Sequence, residues 1–228
     1  MKLVLFDIDG TLIRSSRIGS QVVASALTDV FGRTGPIGRV SFAGKTDQAI
    51  ILELMKAEGV SEVDIRLKLP RVYQQMLVHA QKLFPHADLK PCPGINDLLK
   101  QLIGNKRIVL GIQTGNINLT APLKLQAAAI RPDQFSIGAY GSDTTLRAEL
   151  LPIAWARAQS KTGKSFTGED TIVIGDTPAD IECAKTNGAT SVAVATGSFS
   201  RVDLEKSEPT YLLDNLVEIP IGLNSLLN

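Results

Sequence analysis

Four aspartates lie in two short clusters far apart in the sequence, and their side chains could together hold a cation and attack an electrophile. Asp7 and Asp9 belong to the first cluster, Asp-Ile-Asp-Gly-Thr, and Asp176 and Asp180 to the second, Gly-Asp-Thr-Pro-Ala-Asp. Carboxylates that lie so close repel one another and cannot all stay ionised without compensation. Mg²⁺ would compensate them, because it prefers oxygen ligands from a few carboxylates, water and phosphate. A carboxylate that faces the metal can also act as a nucleophile toward a phosphoryl group.

A third polar cluster, Thr114, Gly115 and Asn116, could bind a phosphoryl group. The Thr114 hydroxyl and the backbone N–H groups of Gly115 and Asn116 are hydrogen-bond donors. A positive side chain is still needed to offset the charge on the phosphoryl oxygens in the transition state. Together, these residue types could support metal-assisted phosphoryl transfer.

Each cluster follows a short apolar run, which predicts a buried strand. The three runs are residues 2–6, 107–113 and 171–175. Further elements are predicted as helices at 95–103, 121–129, 149–160 and 178–187 and as strands at 135–140 and 190–195. This alternation after residue 92 predicts one parallel α/β sheet. Ligands bind outside the carboxyl ends of such strands, so we expect the three clusters to meet at one site.

Residues 14 to about 90 lack a strong strand signal and are predicted to be helical. Thr46 is a predicted N-cap of a helix that ends near Gly59, and Ser61 is a predicted N-cap of the next segment. A further helix is predicted to begin near Pro70. This all-helical segment would interrupt the sheet after its first strand. The length of 228 residues agrees with one domain plus a subdomain, since a domain takes roughly 150 residues.

The overall charge and cysteine content exclude several classes of protein. The sequence has 24 Lys plus Arg against 23 Asp plus Glu, a net charge of +1, so we expect no nucleic-acid partner. The two cysteines form no CxxC pattern, which argues against a disulfide framework or a zinc site. No apolar run approaches the roughly 18 residues of a membrane span. The first apolar run soon meets Asp7, which is untypical of a signal peptide, and we expect a cytoplasmic protein without a membrane partner.

The three clusters, in this order, resemble motifs I, II and IV of the haloacid dehalogenase (HAD) superfamily, and the resemblance covers essentially the whole chain. It implies an α/β fold with a Rossmann-like parallel-sheet core, residues 1–13 and 92–228, and an inserted all-helical C1 cap, residues 14–91. It also implies Mg²⁺-dependent aspartyl-phosphate catalysis on a small phosphorylated metabolite, similar to that of phosphoglycolate phosphatases. We expect the enzyme to be a monomer or a homodimer.

The resemblance implies a role for each of the four aspartates. Asp7 would be the nucleophile and a metal ligand. Asp9 would be the general acid and base, with its backbone carbonyl on the metal. Asp176 would be a metal ligand, and Asp180 would support the metal directly or through water.

The resemblance also implies a role for Thr114 of motif II, whereas the motif III position departs from the family pattern. Thr114 would bind the transferring phosphoryl group. Motif III usually supplies a lysine, but residues 141–150 contain none, so we assign this role to Arg147 at a predicted helix start. Lys45 is a candidate for contact with the anionic end of the substrate, and the helix N-terminus after Thr46 would help to bind an anion there.

Alternative functions stay open within and outside the superfamily. A phosphosugar mutase keeps both motif I aspartates and would yield a phosphorylated product. A phosphonatase has a cap lysine, which Lys45 could supply, but usually carries a small residue where Asp9 stands. A dehalogenase is disfavoured, because that branch lacks the second aspartate of motif I. A non-catalytic phosphate- or metal-binding module is the alternative of a different class, and the presence of every catalytic aspartate argues against it.

Overall fold

A computed structural model describes residues 1–14 and 17–227 of the chain. Its strands are β1 (Lys2–Phe6), β2 (Ile13–Arg14), β3 (Lys90–Pro91), β4 (Ile108–Thr114), β5 (Ile137–Tyr140), β6 (Thr171–Gly175), β7 (Thr190–Val194) and β8 (Tyr211–Leu213). Six of them form a parallel sheet in the order β5-β4-β1-β6-β7-β8. The predicted parallel sheet is therefore confirmed.

Helices cover both faces of this sheet. They are α1 (Ile18–Phe31), α2 (Asp47–Ala57), α3 (Glu62–Leu83), α4 (Ile95–Leu102), α5 (Ala121–Ala127), α6 (Leu150–Thr162), α7 (Pro178–Thr186), α8 (Arg201–Glu205) and α9 (Ile221–Leu227). Alternate residues of β1 point to opposite faces. Val4 and Phe6 pack into one apolar core with α4, α5 and α9, and Leu3 and Leu5 pack into another with α6 and α7. This three-layer arrangement confirms the predicted Rossmann-like α/β class.

The helices α1, α2 and α3 lie between β2 and β3, and we call residues 17–89 the helical insertion. β2 and β3 pair with each other as a short antiparallel ribbon, with Ile13 opposite Pro91. Among the described residues, the two strands of this ribbon are the segments through which the chain enters and leaves the insertion. The predicted division at residues 13/14 and 91/92 falls in this ribbon and stays a prediction.

One helix start was placed wrongly by the sequence pattern. A helix is predicted to begin near Pro70, but α3 runs through Pro70 without interruption. A proline inside a helix removes one backbone hydrogen bond and strains the preceding turn. The apolar stripe continues on both sides of it, with Ile65, Leu69 and Val72 buried at helical spacing in the core that α3 shares with α1. The burial of these apolar side chains offsets the free-energy cost of the proline.

The sheet order brings the three polar clusters together. β1 lies between β4 and β6, with Phe6 in register with Ile112 on one side and Ile174 on the other. The segments that follow the three strands therefore leave the sheet at the same edge. Among the helices of the described residues, none combines the length and the apolar character that crossing a membrane requires.

Candidate active site

Three carboxylates meet at the carboxyl edge of the sheet. Asp7, Asp176 and Asp180 are buried, and ligand atoms of the three lie within 4.8 Å of one another. Burial raises the pKa of Asp7 to about 6, and the neighbouring carboxylates of Asp180 and Asp9 add to this effect while Arg147 opposes it. Burial, together with repulsion from Asp7 and Asp180, also raises the pKa of Asp176 well above its ordinary value. A cluster in this state fits a divalent cation, which would stabilise the ionised carboxylates.

Two glycines make room for the Asp176 carboxylate. A Cβ on Gly10 would lie 2.2 Å from an oxygen of Asp176, and one on Gly197 would lie 1.6 Å from the same oxygen. Gly10 also has a φ of 81°, a backbone conformation that side-chain-bearing residues rarely adopt. The Thr11 hydroxyl donates a hydrogen bond to Asp176 at 3.2 Å. Gly10 and Thr11 of the first cluster thus place the aspartate of the other cluster.

Arg147 is the buried cation beside these carboxylates. It lies in a 3₁₀ turn just before α6, and its Nη2 contacts Asp7 Oδ2 at 3.0 Å and Asp180 Oδ1 at 2.5 Å. Burial alone lowers the pKa of Arg147, but the charges of Asp180 and Asp7 outweigh it and raise the pKa, so the guanidinium stays charged. The Cys183 thiol donates to the Arg147 carbonyl at 3.2 Å and ties the turn to α7.

Asp180 orients Arg147 and caps a helix. Its Oδ1 accepts hydrogen bonds from Nε and Nη2 of Arg147, and its Oδ2 accepts from the Thr177 backbone N–H at 3.1 Å and the Thr177 hydroxyl at 2.7 Å. Thr177 and Asp180 form a reciprocal capping box at the start of α7, with Pro178 in the first turn as predicted. Both carboxylate oxygens of Asp180 are therefore engaged by groups of the protein.

The Thr114 cluster is held by hydrogen bonds of its own. Thr114 is fully buried, and its Oγ1 accepts from the Asn116 backbone N–H at 3.3 Å and from the Asn116 side chain at 2.9 Å. The Asn116 amide also donates to Asp9 Oδ2 at 2.8 Å. Between them, Gly115 is packed so closely that a Cβ would lie 2.1 Å from the backbone oxygen of Lys45. Asn116 thus links Thr114 to Asp9.

Lys124 is a site residue that the sequence analysis missed. Its ammonium is 2.7 Å from Asp9 Oδ2 and 3.0 Å from Asn116 Oδ1, and the side chain is only 3% exposed. Lysine is almost never fully buried unless it is paired. The signal was available, because Lys124 lies on the buried face of α5 with Ala121 and Leu125. A lysine on the apolar face of the helix that follows the Thr114 cluster indicates a buried ion pair.

The N-terminus of α2 docks on the loops that follow β4 and β5. The Asp47 backbone N–H donates to the Gly115 carbonyl at 2.7 Å, and the Gln48 N–H donates to the Gly141 carbonyl at 3.3 Å. Thr46 is the N-cap as predicted, and its hydroxyl accepts from the Ala49 N–H. These three N–H donors are bound within the protein, and anion binding at this helix N-terminus stays a prediction.

Asp47 carries the docking contact of the insertion. Its Oδ2 accepts a hydrogen bond from the Ile117 N–H at 2.9 Å. The pKa of Asp47 is raised to about 7, mainly by burial and also by the charge of Asp9. The charge of Lys124 and the hydrogen bond from the Ile117 N–H partly oppose this rise. The neighbouring Lys45, which we expected to face the substrate, instead pairs with Glu53 of α2 at 2.5 Å, with both side chains partly exposed. Contact between Lys45 and a substrate stays a prediction.

Comparison with known proteins places these residues in a family. The profile of the haloacid dehalogenase-like hydrolase family matches residues 4–194. A phosphoglycolate phosphatase from Synechococcus elongatus is 28% identical over 229 residues, which cover 100% of this chain and 99% of the relative. A hydrolase from Pseudomonas syringae has a similar structure, with a TM-score of 0.71, 19% identity and 99% of both chains covered. A putative β-phosphoglucomutase from Bacteroides vulgatus has a TM-score of 0.68 at 20% identity, with 99% of this chain and 88% of that chain covered.

Proposed function

Because the chain belongs to the haloacid dehalogenase-like hydrolase family, we propose that it is a Mg²⁺-dependent phosphatase of a small phosphorylated metabolite. One observation carries this proposal. The buried Asp7 carboxylate lies at the end of β1, 3.0 Å from the Arg147 guanidinium and beside the Asp176 carboxylate. A carboxylate held between a fixed cation and a candidate metal ligand is placed to attack a phosphoryl group.

The first step transfers the phosphoryl group to Asp7. A carboxylate oxygen of Asp7 attacks the phosphorus, and the bond between phosphorus and the leaving oxygen breaks. Asp9 gives its proton to that oxygen, which departs as an alcohol. Arg147 and the Thr114 hydroxyl stabilise the charge on the phosphoryl oxygens during the transfer.

The second step releases inorganic phosphate. Asp9, now ionised, takes a proton from a water molecule, whose oxygen attacks the phosphorus of the aspartyl-phosphate. The bond between phosphorus and the Asp7 oxygen breaks, and the Asp7 carboxylate is restored. The ion pairs of Arg147 with Asp7 and Asp180 hold the nucleophile in place for the next cycle.

The donor set of the site fits Mg²⁺. We assign the metal to carboxylate oxygens of Asp7 and Asp176 and to the backbone carbonyl of Asp9. Asp180 supports this arrangement by holding Arg147, because both of its oxygens already accept hydrogen bonds. When bound, the metal neutralises carboxylate charge and polarises the phosphoryl group.

The helical insertion acts as a cap over this site. We assign the cap to residues 14–91, whose helices pivot on the ribbon of β2 and β3. The docked position is fixed by the contacts of Asp47 with Gly115 and Ile117. Such closure excludes bulk water from the reaction and selects substrates that fit beneath the cap. Phosphoglycolate is the first substrate to test, because a relative that matches the whole chain is named for it.

The test is release of inorganic phosphate from an aryl phosphate and from phosphoglycolate, with Mg²⁺ and with a chelator. We expect release that requires Mg²⁺ in the unchanged protein and falls by at least about 10³-fold in Asp7→Asn. Equal release by the two proteins would contradict the proposal. Absence of release from a broad set of phosphorylated metabolites would favour the non-catalytic binding module instead.

A phosphosugar mutase is the second candidate, because it would keep Asp7 and Asp9 and one solved structure of similar fold is named as a mutase. A mutase converts a sugar phosphate into its isomer, whereas a phosphatase yields free sugar and phosphate. Product analysis with glucose 1-phosphate separates the two. A phosphonatase is less well supported, because Lys45 is paired with Glu53 and Asp9 is present.

The cytoplasmic location and the monomeric or dimeric state stay predictions.

A further inference from the structure

Lys124 is a buried cation of the site, and it has no role in the two proposed steps. Its ammonium reaches Asp9 Oδ2 at 2.7 Å, and the Asn116 amide reaches the same oxygen at 2.8 Å. Asn116 Oδ1 in turn accepts from the Lys124 ammonium at 3.0 Å. Each member of this triangle contacts the other two. Two donors on one carboxylate oxygen restrict the rotation of the Asp9 side chain.

The helical insertion completes the surroundings of this ammonium. The ring centroid of Phe84 lies 5.8 Å from Lys124 Nζ, within the range of a cation–π contact. At the start of α1, a Cβ on Gly19 would lie 3.4 Å from the same atom. The Lys124 side chain is 3% exposed and that of Asp9 is 35% exposed. The cation is thus shielded from water, while the carboxylate that it holds is partly exposed.

We propose that Lys124 is a positioning residue that fixes the Asp9 carboxylate for proton transfer once the helical insertion is docked. This inference rests on the proposed function, because it concerns the acid and base of that reaction. An ion pair in a dry environment is stronger than one in water. Removal of water by Phe84 and α1 therefore strengthens the contact between Lys124 and Asp9 when the insertion covers it.

The test uses leaving groups of different basicity. An alkyl phosphate needs a proton on its leaving oxygen, whereas a dinitrophenyl phosphate does not. The ratio kcat/KM reports the steps up to departure of the leaving group. In Lys124→Met, we expect kcat/KM to fall by about 10²-fold for the alkyl phosphate and by less than about tenfold for the dinitrophenyl phosphate. Asp9→Asn is expected to show the same selectivity. An equal loss on both substrates would overturn the inference, because it indicates general damage to the site.

A double-mutant cycle gives an independent readout. If Lys124 acts through Asp9, adding Lys124→Met to Asp9→Asn lowers kcat/KM for the alkyl phosphate by less than about twofold. Additive losses would contradict the proposal. Lys164→Met, a change at an exposed lysine just after α6, is the matched control and should leave both substrates unaffected.

Two further variants keep the test decisive. Lys124→Arg retains the charge and should recover part of the alkyl phosphate activity, which loss of side-chain volume alone would not explain. If melting curves show that Lys124→Met does not fold, Lys124→Gln replaces it, because an amide keeps a donor near Asp9 without the charge. Inactivity of the unchanged protein on both substrates would remove the proposed function and this inference together. Activity of that protein with an unselective variant would remove this inference alone.

Discussion

Arg147 is a buried guanidinium that two carboxylates share, and we propose that it takes the place of the motif III lysine. Its Nη2 lies 3.0 Å from Asp7 and 2.5 Å from Asp180, whereas a lysine would bring a single point charge to this position. The planar fork lets one side chain hold two carboxylates. Asp180 is fixed by Thr177, so the position of Asp7 relative to the sheet is set by a chain of three ion-paired or hydrogen-bonded residues.

We predict that Arg147→Ala lowers kcat by an order of magnitude or more. The variant loses the cation that stabilises the phosphoryl oxygens and leaves the Asp7 charge less compensated. Steady-state kinetics with an aryl phosphate check this, and melting curves show whether the variant folds. Arg131→Ala changes an exposed arginine paired with Asp133 and serves as the control. Near-normal turnover in Arg147→Ala would place the motif III role elsewhere.

The sequence motifs predicted the site residues that lie within the motifs themselves. They did not predict a site residue that lies outside the motifs, in the middle of a helix. Asp7 and Asp176 meet because each directly follows a buried strand of one sheet, and Asp180 joins them from the first turn of the helix after β6. Lys124 enters from the middle of α5, and only the tertiary packing shows which side chain it meets. The contact of Asp47 with the Ile117 N–H has the same cause, because only the tertiary packing shows which loop the start of α2 meets.

At the scale of elements, α2 is fixed to the core by its own N-terminus. Backbone donors that would otherwise need water or an anion bind the carbonyls of Gly115 and Gly141. The contact requires close approach of two backbones, and Gly115 permits it. The sequence predicted the N-cap at Thr46, but it carries no information about which loop the helix end would meet.

We predict that Gly115→Ala impairs docking of the insertion while the sheet stays folded. The added Cβ would lie 2.1 Å from the Lys45 backbone oxygen, a distance that requires the two backbones to separate. We expect kcat/KM to fall by at least about tenfold with a small change in melting temperature. Gly38→Ala, where a Cβ meets nothing within 4 Å, is the control. Unchanged kcat/KM in Gly115→Ala would show that this approach is not needed for catalysis.

For the whole molecule, the net charge of +1 conceals an uneven distribution of acidic and basic side chains. The described site gathers more carboxylates than cations, with Arg147 and Lys124 facing Asp7, Asp9, Asp47, Asp176 and Asp180. Asp7 binds its proton more tightly in the folded state than in the unfolded state, since its pKa rises from 3.8 to about 6. Its contribution to the free energy of unfolding is therefore largest at low pH and is lost as the pH rises through about 6.

We predict that metal-free Asp7→Asn is more stable than the metal-free unchanged protein above pH 7 and that this advantage shrinks below about pH 4. Asparagine is neutral at every pH and removes the repulsion that ionised Asp7 adds. Melting temperatures of both proteins in chelator across this range provide the measurement. Mg²⁺ should raise the melting temperature of the unchanged protein more at pH 8 than at pH 5, because binding needs ionised carboxylates. A pH-independent difference between the two proteins would contradict this account of the site.

The central claim is that Asp7 becomes phosphorylated, and direct trapping of the phosphoenzyme tests it. In Asp9→Asn, a dinitrophenyl phosphate can still phosphorylate Asp7, because its leaving group needs no proton, while the second step lacks its base. The reaction is quenched in acid, and the protein and its peptides are weighed by mass spectrometry. We predict the mass of one phosphoryl group on the peptide that contains Asp7, and no such mass in the variant that also carries Asp7→Asn. Dinitrophenol release without this adduct, or an adduct on another residue, would contradict the account.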